Sequence, residues 1–166
     1  MKIKFGTDGW RAIIAKDFTV ENVARVTEGV VSWLKKNFES PSVVVGHDCR
    51  FAGDLFVETI SKILIKNNIK VYQAKEPFVT TPMISLGTLH FKASLGIIIT
   101  ASHNPPSYNG YKLKGHYGGP LLPEQVKEVE NLIPDKVCTD FESVNLQESS
   151  LFEIVDLEEI YYQRIT

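Results

Sequence analysis

The chain has little that would mark a membrane, secreted or nucleic-acid-binding protein. No apolar run approaches the roughly 20 residues a membrane helix needs, and Met1-Lys2-Ile3-Lys4-Phe5-Gly6 lacks the extended apolar core of a signal peptide. The two cysteines, Cys49 and Cys138, form no metal-like spacing, which points to reduced thiols in a cytoplasmic protein. Net charge is only −2 and no basic block appears, so neither nucleic acid nor an anionic membrane is an expected partner. A small phosphate pocket, which needs only a few local donors, stays open. Catalytic signatures are missing too. There is no Gly-x-Ser-x-Gly elbow for acyl transfer, no Walker or Rossmann glycine loop, and no Asp-rich run able to hold a divalent metal by itself.

What is present fits one well-packed domain, since 166 residues bury roughly 70% of the unfolded surface. The β-branched run from Ser42 to Val45 ends in Gly46-His47-Asp48, and Gly53-Asp54 then opens a helical pattern with Phe56, Ile60, Ile63 and Leu64 on one face. Ile69 to Tyr72 reads as a second strand, followed by Thr81 as N-cap, Pro82 at the first helical position, and a helix to about His90. Leu95 to Thr100 reads as a third strand, with a return strand at Tyr111 to Lys114. A helix opening at Pro123 turns Val126, Val129, Leu132 and Ile133 inward. Upstream, Thr19 caps a helix with the stripe Val20, Val23, Thr27, Val30, Val31 and Leu34. Strands alternating with such helices predict an α/β protein, a three-layer α/β/α sandwich with a mainly parallel sheet. Residues Ile3 to Ile14 would add antiparallel or edge strands and make that sheet mixed. The domain is expected over residues 1–140. Residues 141–166 read as a polar connector and the start of a helix that stops without a cap, as in a fragment leading to a further domain.

In open α/β sheets ligands bind beyond the carboxyl ends of the parallel strands. Three loops belong there: Gly46 to Arg50, Pro77 to Pro82, and Thr100 to Asn109. The last presents Ser102. A hydroxyl needs a base, or a phosphoryl group held by cations, to react. His103 offers an imidazole, Lys112 an ammonium, and Arg11 and Arg50 planar forks suited to phosphate. Plainer roles compete: a simple polar turn for Ser-His-Asn-Pro, an ion pair of Arg50 with Asp48, stacking of Arg11 on Trp10. His47, Tyr108 and Tyr111 read as packing or surface residues, and His90 and His116 carry no role.

Taken together, "FGTDGWR" (Phe5 to Arg11), "VGHDCR" (Val45 to Arg50), "TTP" (Thr80 to Pro82) and "TASHNPPSYNGYK" (Thr100 to Lys112) resemble, in order and spacing, the N-terminal domain of the α-D-phosphohexomutases. The best fit is the phosphoglucomutase/phosphomannomutase branch. The resemblance implies interconversion of hexose 1-phosphate and hexose 6-phosphate through a phosphoserine, here Ser102, and a hexose 1,6-bisphosphate. It implies Mg²⁺ with the phosphoserine as one ligand, Lys112 and His103 as proton-transfer or charge-stabilising groups, and Arg11 at the phosphate. Thr7, Arg50, Asn104 and Asn109 are the expected substrate or phosphate contacts. Family members have four domains, and their other metal ligands and sugar-reading loops lie beyond the first. A first domain alone is therefore expected to show little or no turnover. Two alternatives stand beside this: a phosphoglucosamine mutase, and a non-catalytic phosphosugar-binding module.

Overall fold

The computed structural model describes residues 2–7 and 9–165; Asp8 of the Phe5 to Arg11 motif lies outside them. The chain runs β1 (Trp10–Ile13), α1 (Val20–Asn37), β2 (Ser42–His47), α2 (Gly53–Lys66), β3 (Lys70–Ala74), α3 (Thr81–His90), β4 (Leu95–Ile99), β5 (Tyr108–Gly115), α4 (Pro123–Asn131), β6 (Phe152–Val155) and α5 (Leu157–Ile165). Among the described residues the strands form one sheet in the order β1-β5-β4-β2-β3-β6. Three of its five pairings are parallel, and the two that involve β5 are antiparallel. The expected mixed, mainly parallel α/β/α sandwich is the fold observed.

Alternation along the central strands builds both layers of core. Val43 and Val45 of β2, with Ile97 and Ile99 of β4, pack under α1 and α2, whereas Val44 and Ile98 face α3 and α5. A parallel strand covered on both faces has no polar side, hence the unbroken Val and Ile runs. The expected stripes hold: Val23, Val30, Val31 and Leu34 of α1 and Phe56, Ile60, Ile63 and Leu64 of α2 are buried. Thr19 caps α1 by accepting the Asn22 amide at 3.1 Å.

Some boundaries differ from expectation. Thr80, not Thr81, caps α3: it is extended and accepts the Met83 amide, so Thr81 and Pro82 already lie in the first turn. Leu132 falls just past the end of α4, off the inward stripe, and is exposed. The return strand β5 begins at Tyr108 because Asn109 and Gly110, turn residues by type, pair with Ala12 and Arg11 of β1. A Cβ at Gly110 would collide with the Thr100 carbonyl. The C-terminal segment contributes a sixth strand as well as the expected helix. β6 pairs in parallel with β3, Glu76 accepts the Leu157 amide at the start of α5, and Leu157 is fully buried. β6 escapes the sequence pattern because, as an edge strand, it leaves Glu153 and Ile154 exposed.

Tyr111 is the largest fully buried side chain, and its phenol shares a 2.9 Å hydrogen bond with the Thr27 hydroxyl, joining β5 to α1. Burial raises its pKa well above the ordinary value. In the unfolded chain the phenol ionises near pH ~10, so the stability this proton contributes is complete below that pH and is lost progressively above it. Tyr111→Phe is expected to cost about 1 kcal/mol at pH 7, with Thr27 still donating to the Val23 carbonyl. It should also flatten the alkaline loss of stability; urea unfolding at pH 7 and above pH 10 checks both.

Candidate active site around Ser102

The parallel register places His47 of β2 beside Ile99 of β4, and the Asp48 amide donates to the Ile99 carbonyl at 3.1 Å. The Gly46 to Arg50 and Thr100 to Asn109 loops therefore leave the sheet side by side. Ile99 is fully buried, Ala101 likewise, and Ser102 is the first exposed residue beyond them. Its backbone has φ +49°, the left-handed region that disfavours side chains other than glycine or asparagine. Such strain persists only where the surroundings impose it.

The surroundings here are the β2–α2 loop. One Arg50 nitrogen, Nη1, donates to the carbonyls of Pro105 (2.7 Å) and Tyr108 (3.0 Å), and Nη2 donates to those of Ser102 (2.7 Å) and Asn104 (2.6 Å). Asp48 accepts the Arg50 amide through Oδ1 (2.9 Å) and the Thr100 hydroxyl through Oδ2 (2.5 Å), while its carboxylate lies 3.8 Å from Arg50 Nε. Thr100 Oγ1 in turn accepts the Ser102 amide at 3.2 Å.

Arg11 Nη1 donates to Asn104 Oδ1 at 2.7 Å, which brings a guanidinium against the residue two positions after the serine. Asn104 is thereby fixed from both sides, its amide donating to the Ala101 carbonyl. Asn109 is fully buried and serves the backbone: Oδ1 accepts the Gly110 amide, and Nδ2 reaches the Phe51 carbonyl at 3.4 Å. His103 follows Ser102 and is exposed. Lys112 lies on β5 opposite Ile98, short of the serine loop, and with Thr7, Phe5, Gly6 and Gly9 it lines a neighbouring hollow of about 120 Å³.

Hydrogen bonds thus join Ser102, Asn104, Arg11 and Arg50, while Thr7 and Lys112 line a separate hollow to which residues 100–109 do not contribute. Asp48 and Thr100 were not among the expected site residues. The signal available for them was an Asx-type turn, Asp48 two residues before Arg50, and a hydroxyl two residues before the serine. Among the described residues no three His, Cys, Asp or Glu side chains gather as a metal site. The positive φ gives a direct check. Ser102→Gly should be more stable than Ser102→Ala by about 1 kcal/mol, since glycine alone occupies that conformation freely; paired urea melts measure the difference.

The family description "Phosphoglucomutase/phosphomannomutase, alpha/beta/alpha domain I" matches residues 2–137. A phosphoglucomutase of Staphylococcus saprophyticus is 34% identical over 137 residues, which cover 79% of this chain and 24% of that protein. A phosphoglucosamine/phosphogalactosamine mutase of Sulfurisphaera tokodaii is 33% identical over 128 residues, covering 77% of this chain and 27% of that one. A crystal structure from Thermus thermophilus, provisionally assigned as a phosphomannomutase, superposes with a TM-score of 0.88 at 38% identity, over 98% of this chain and 35% of its own. The chain spans about a quarter of the length of these curated relatives. With an exposed serine beyond a buried parallel strand, its loop held by the neighbouring loop of the same sheet edge, the chain belongs to the phosphoglucomutase/phosphomannomutase family as an α/β/α domain I.

Proposed function

We propose that this chain carries the phosphoryl-transferring serine of a hexose-phosphate mutase, and that Ser102 is that residue. The observation that supports it most is an exposed hydroxyl on a left-handed residue at the carboxyl edge of the parallel strands, with a guanidinium within two residues. In the proposed reaction a hydroxyl of the hexose monophosphate attacks the phosphorus of phosphorylated Ser102. The P–Oγ bond breaks with its electron pair on Oγ, and the sugar hydroxyl loses its proton to a base. The resulting 1,6-bisphosphate turns over; Oγ then attacks its other phosphorus, the P–O bond to the sugar breaks with its electron pair on the sugar oxygen, and that oxygen takes the proton back from the acid, leaving the isomeric monophosphate and phosphorylated Ser102.

In-line transfer requires an unobstructed Oγ and cations to spread the charge of the transferring group. Arg11 supplies one, held toward the loop by Asn104. His103 and Lys112 are the candidates for the proton or for further charge stabilisation. Thr7, next to Lys112, is the candidate for contact with the substrate's distal phosphate. Mg²⁺ is the proposed metal, and its charge would offset that of the phosphoryl group. The chain's own share of that site is the serine phosphate, so carboxylate ligands would come from the rest of the active protein. Glucose or mannose phosphates are the first-choice substrates. Relatives named phosphoglucosamine mutases match at 33–34% identity and keep the amino sugar as the alternative.

Incubation with glucose 1,6-bisphosphate and Mg²⁺ should add one phosphoryl group to the intact mass, mapped to Ser102 by peptide fragmentation. Chelating the metal should suppress the uptake, and Ser102→Ala should abolish it. Equal uptake by Ser102→Ala would sink the assignment, and unchanged ligand binding by a protein that never takes up phosphate would favour the binding-module reading. Mutase turnover by the chain alone is expected to be negligible, because the sugar-reading contacts and most metal ligands are proposed to lie elsewhere; a coupled assay for glucose 6-phosphate tests it.

A further inference from the structure

We infer that Arg50 is a positioning residue for Ser102 and not a ligand of the transferred phosphate. The inference rests on Ser102 being the phosphoryl carrier, and it departs from the role that the fork of an arginine suggests in sequence. A guanidinium has five N–H donors. In Arg50 the four on Nη1 and Nη2 point at the carbonyls of Ser102, Asn104, Pro105 and Tyr108, and Nε faces Asp48. Four of the five donors are thus committed to the chain's own backbone, and the fifth faces a carboxylate 3.8 Å away, whose charge repels a phosphate oxygen. The side chain is also largely buried, at 12% exposure, whereas Ser102 is open to solvent.

Those bonds fall where they matter for the serine. The direction of its Cα–Cβ bond depends on the two peptide planes that flank Cα. The Ser102 N–H belongs to the first plane and is bound by Thr100 Oγ1, itself anchored on Asp48. The Ser102 carbonyl belongs to the second and is bound by Arg50. Asp48 and Arg50 therefore fix both planes from one neighbouring loop, and with them a strained φ that the serine would not keep unaided. Misplacing a reacting atom by about 1 Å can cost on the order of 100-fold in rate, so this control acts on the maximal rate of transfer and not on binding of the donor.

The test compares wild type, Arg50→Lys and Arg50→Ala in single-turnover loading of Ser102 by glucose 1,6-bisphosphate over a range of concentrations. Amide hydrogen exchange is followed in parallel. A lysine keeps the charge but cannot span four carbonyls. Both variants should load at least about ten-fold more slowly at saturation with the half-saturating concentration unchanged. Exchange should speed up across residues 101–108 while α1 and the central strands stay protected, which shows that the fold is intact. A raised half-saturating concentration in Arg50→Ala, recovered by Arg50→Lys, with the loop as protected as in wild type, would make Arg50 a phosphate ligand and overturn the inference. If the wild-type chain takes up no phosphate, the reading of Ser102 as carrier fails in this chain. Exchange then decides the positioning claim: a loosened loop in Arg50→Lys upholds it, and an unchanged loop overturns it.

Discussion

The parallel register of β2 with β4 is the constraint on which the site depends. His47 lies beside Ile99, so the chain leaves both strands at the same level, and the Asp48 N–H donates a hydrogen bond to the Ile99 carbonyl before either loop begins. A slip of one residue would turn Val43 and Val45 toward the opposite layer, exchanging their places with Val44. The two cores of the sandwich forbid it. Because the register is set by fully buried side chains, the spacing between Asp48, Arg50 and Thr100 is inherited from packing and not negotiated by the loops themselves.

The β2–α2 loop then turns that fixed spacing into control of the serine. An arginine suits this role because its donors diverge within one plane, so a single side chain can reach carbonyls spread over residues 102 to 108. Without it these carbonyls would turn to water and the loop would take many conformations. Asp48 complements it: the carboxylate lies near Nε, orders the turn that delivers Arg50, and orients Thr100. One acidic and one basic side chain, neither touching the serine hydroxyl, thereby hold a residue in a conformation costing of order 1–3 kcal/mol.

Much of this was legible in the sequence, for identifiable reasons. Long amphipathic stripes and fully apolar strands leave strong periodic signals, so α1, α2 and the three central strands could be placed. The motif also singled out Ser102 and Arg11, and the structure brings the Arg11 guanidinium onto the serine loop through Asn104. The sequence could not show how the polar groups divide their work. Arg50 and Asn109 carry side chains that suit a phosphate, yet both direct their hydrogen bonds to the chain itself, a fact set by contacts up to 58 residues apart. The edge strand β6 was missed because four residues with two exposed give too little pattern, and its place follows from β3 offering an open edge.

The rigidity of the serine loop has a consequence for the proposed chemistry. In a reaction that uses one Oγ first as leaving group and then as acceptor, the oxygen must occupy the same place at both steps while the sugar phosphate turns over. A loop that ordered itself only on binding would lose conformational entropy in each half of the cycle. Here the ordering is completed at folding, by bonds made to the protein's own backbone, and the donors that do it are no longer available to the substrate. In the proposed reaction the cations for the phosphoryl group would then come from outside the fork, from Arg11, Lys112 and the proposed Mg²⁺. The division follows from donor counting: an arginine that holds four carbonyls builds the platform, and other groups meet the charge.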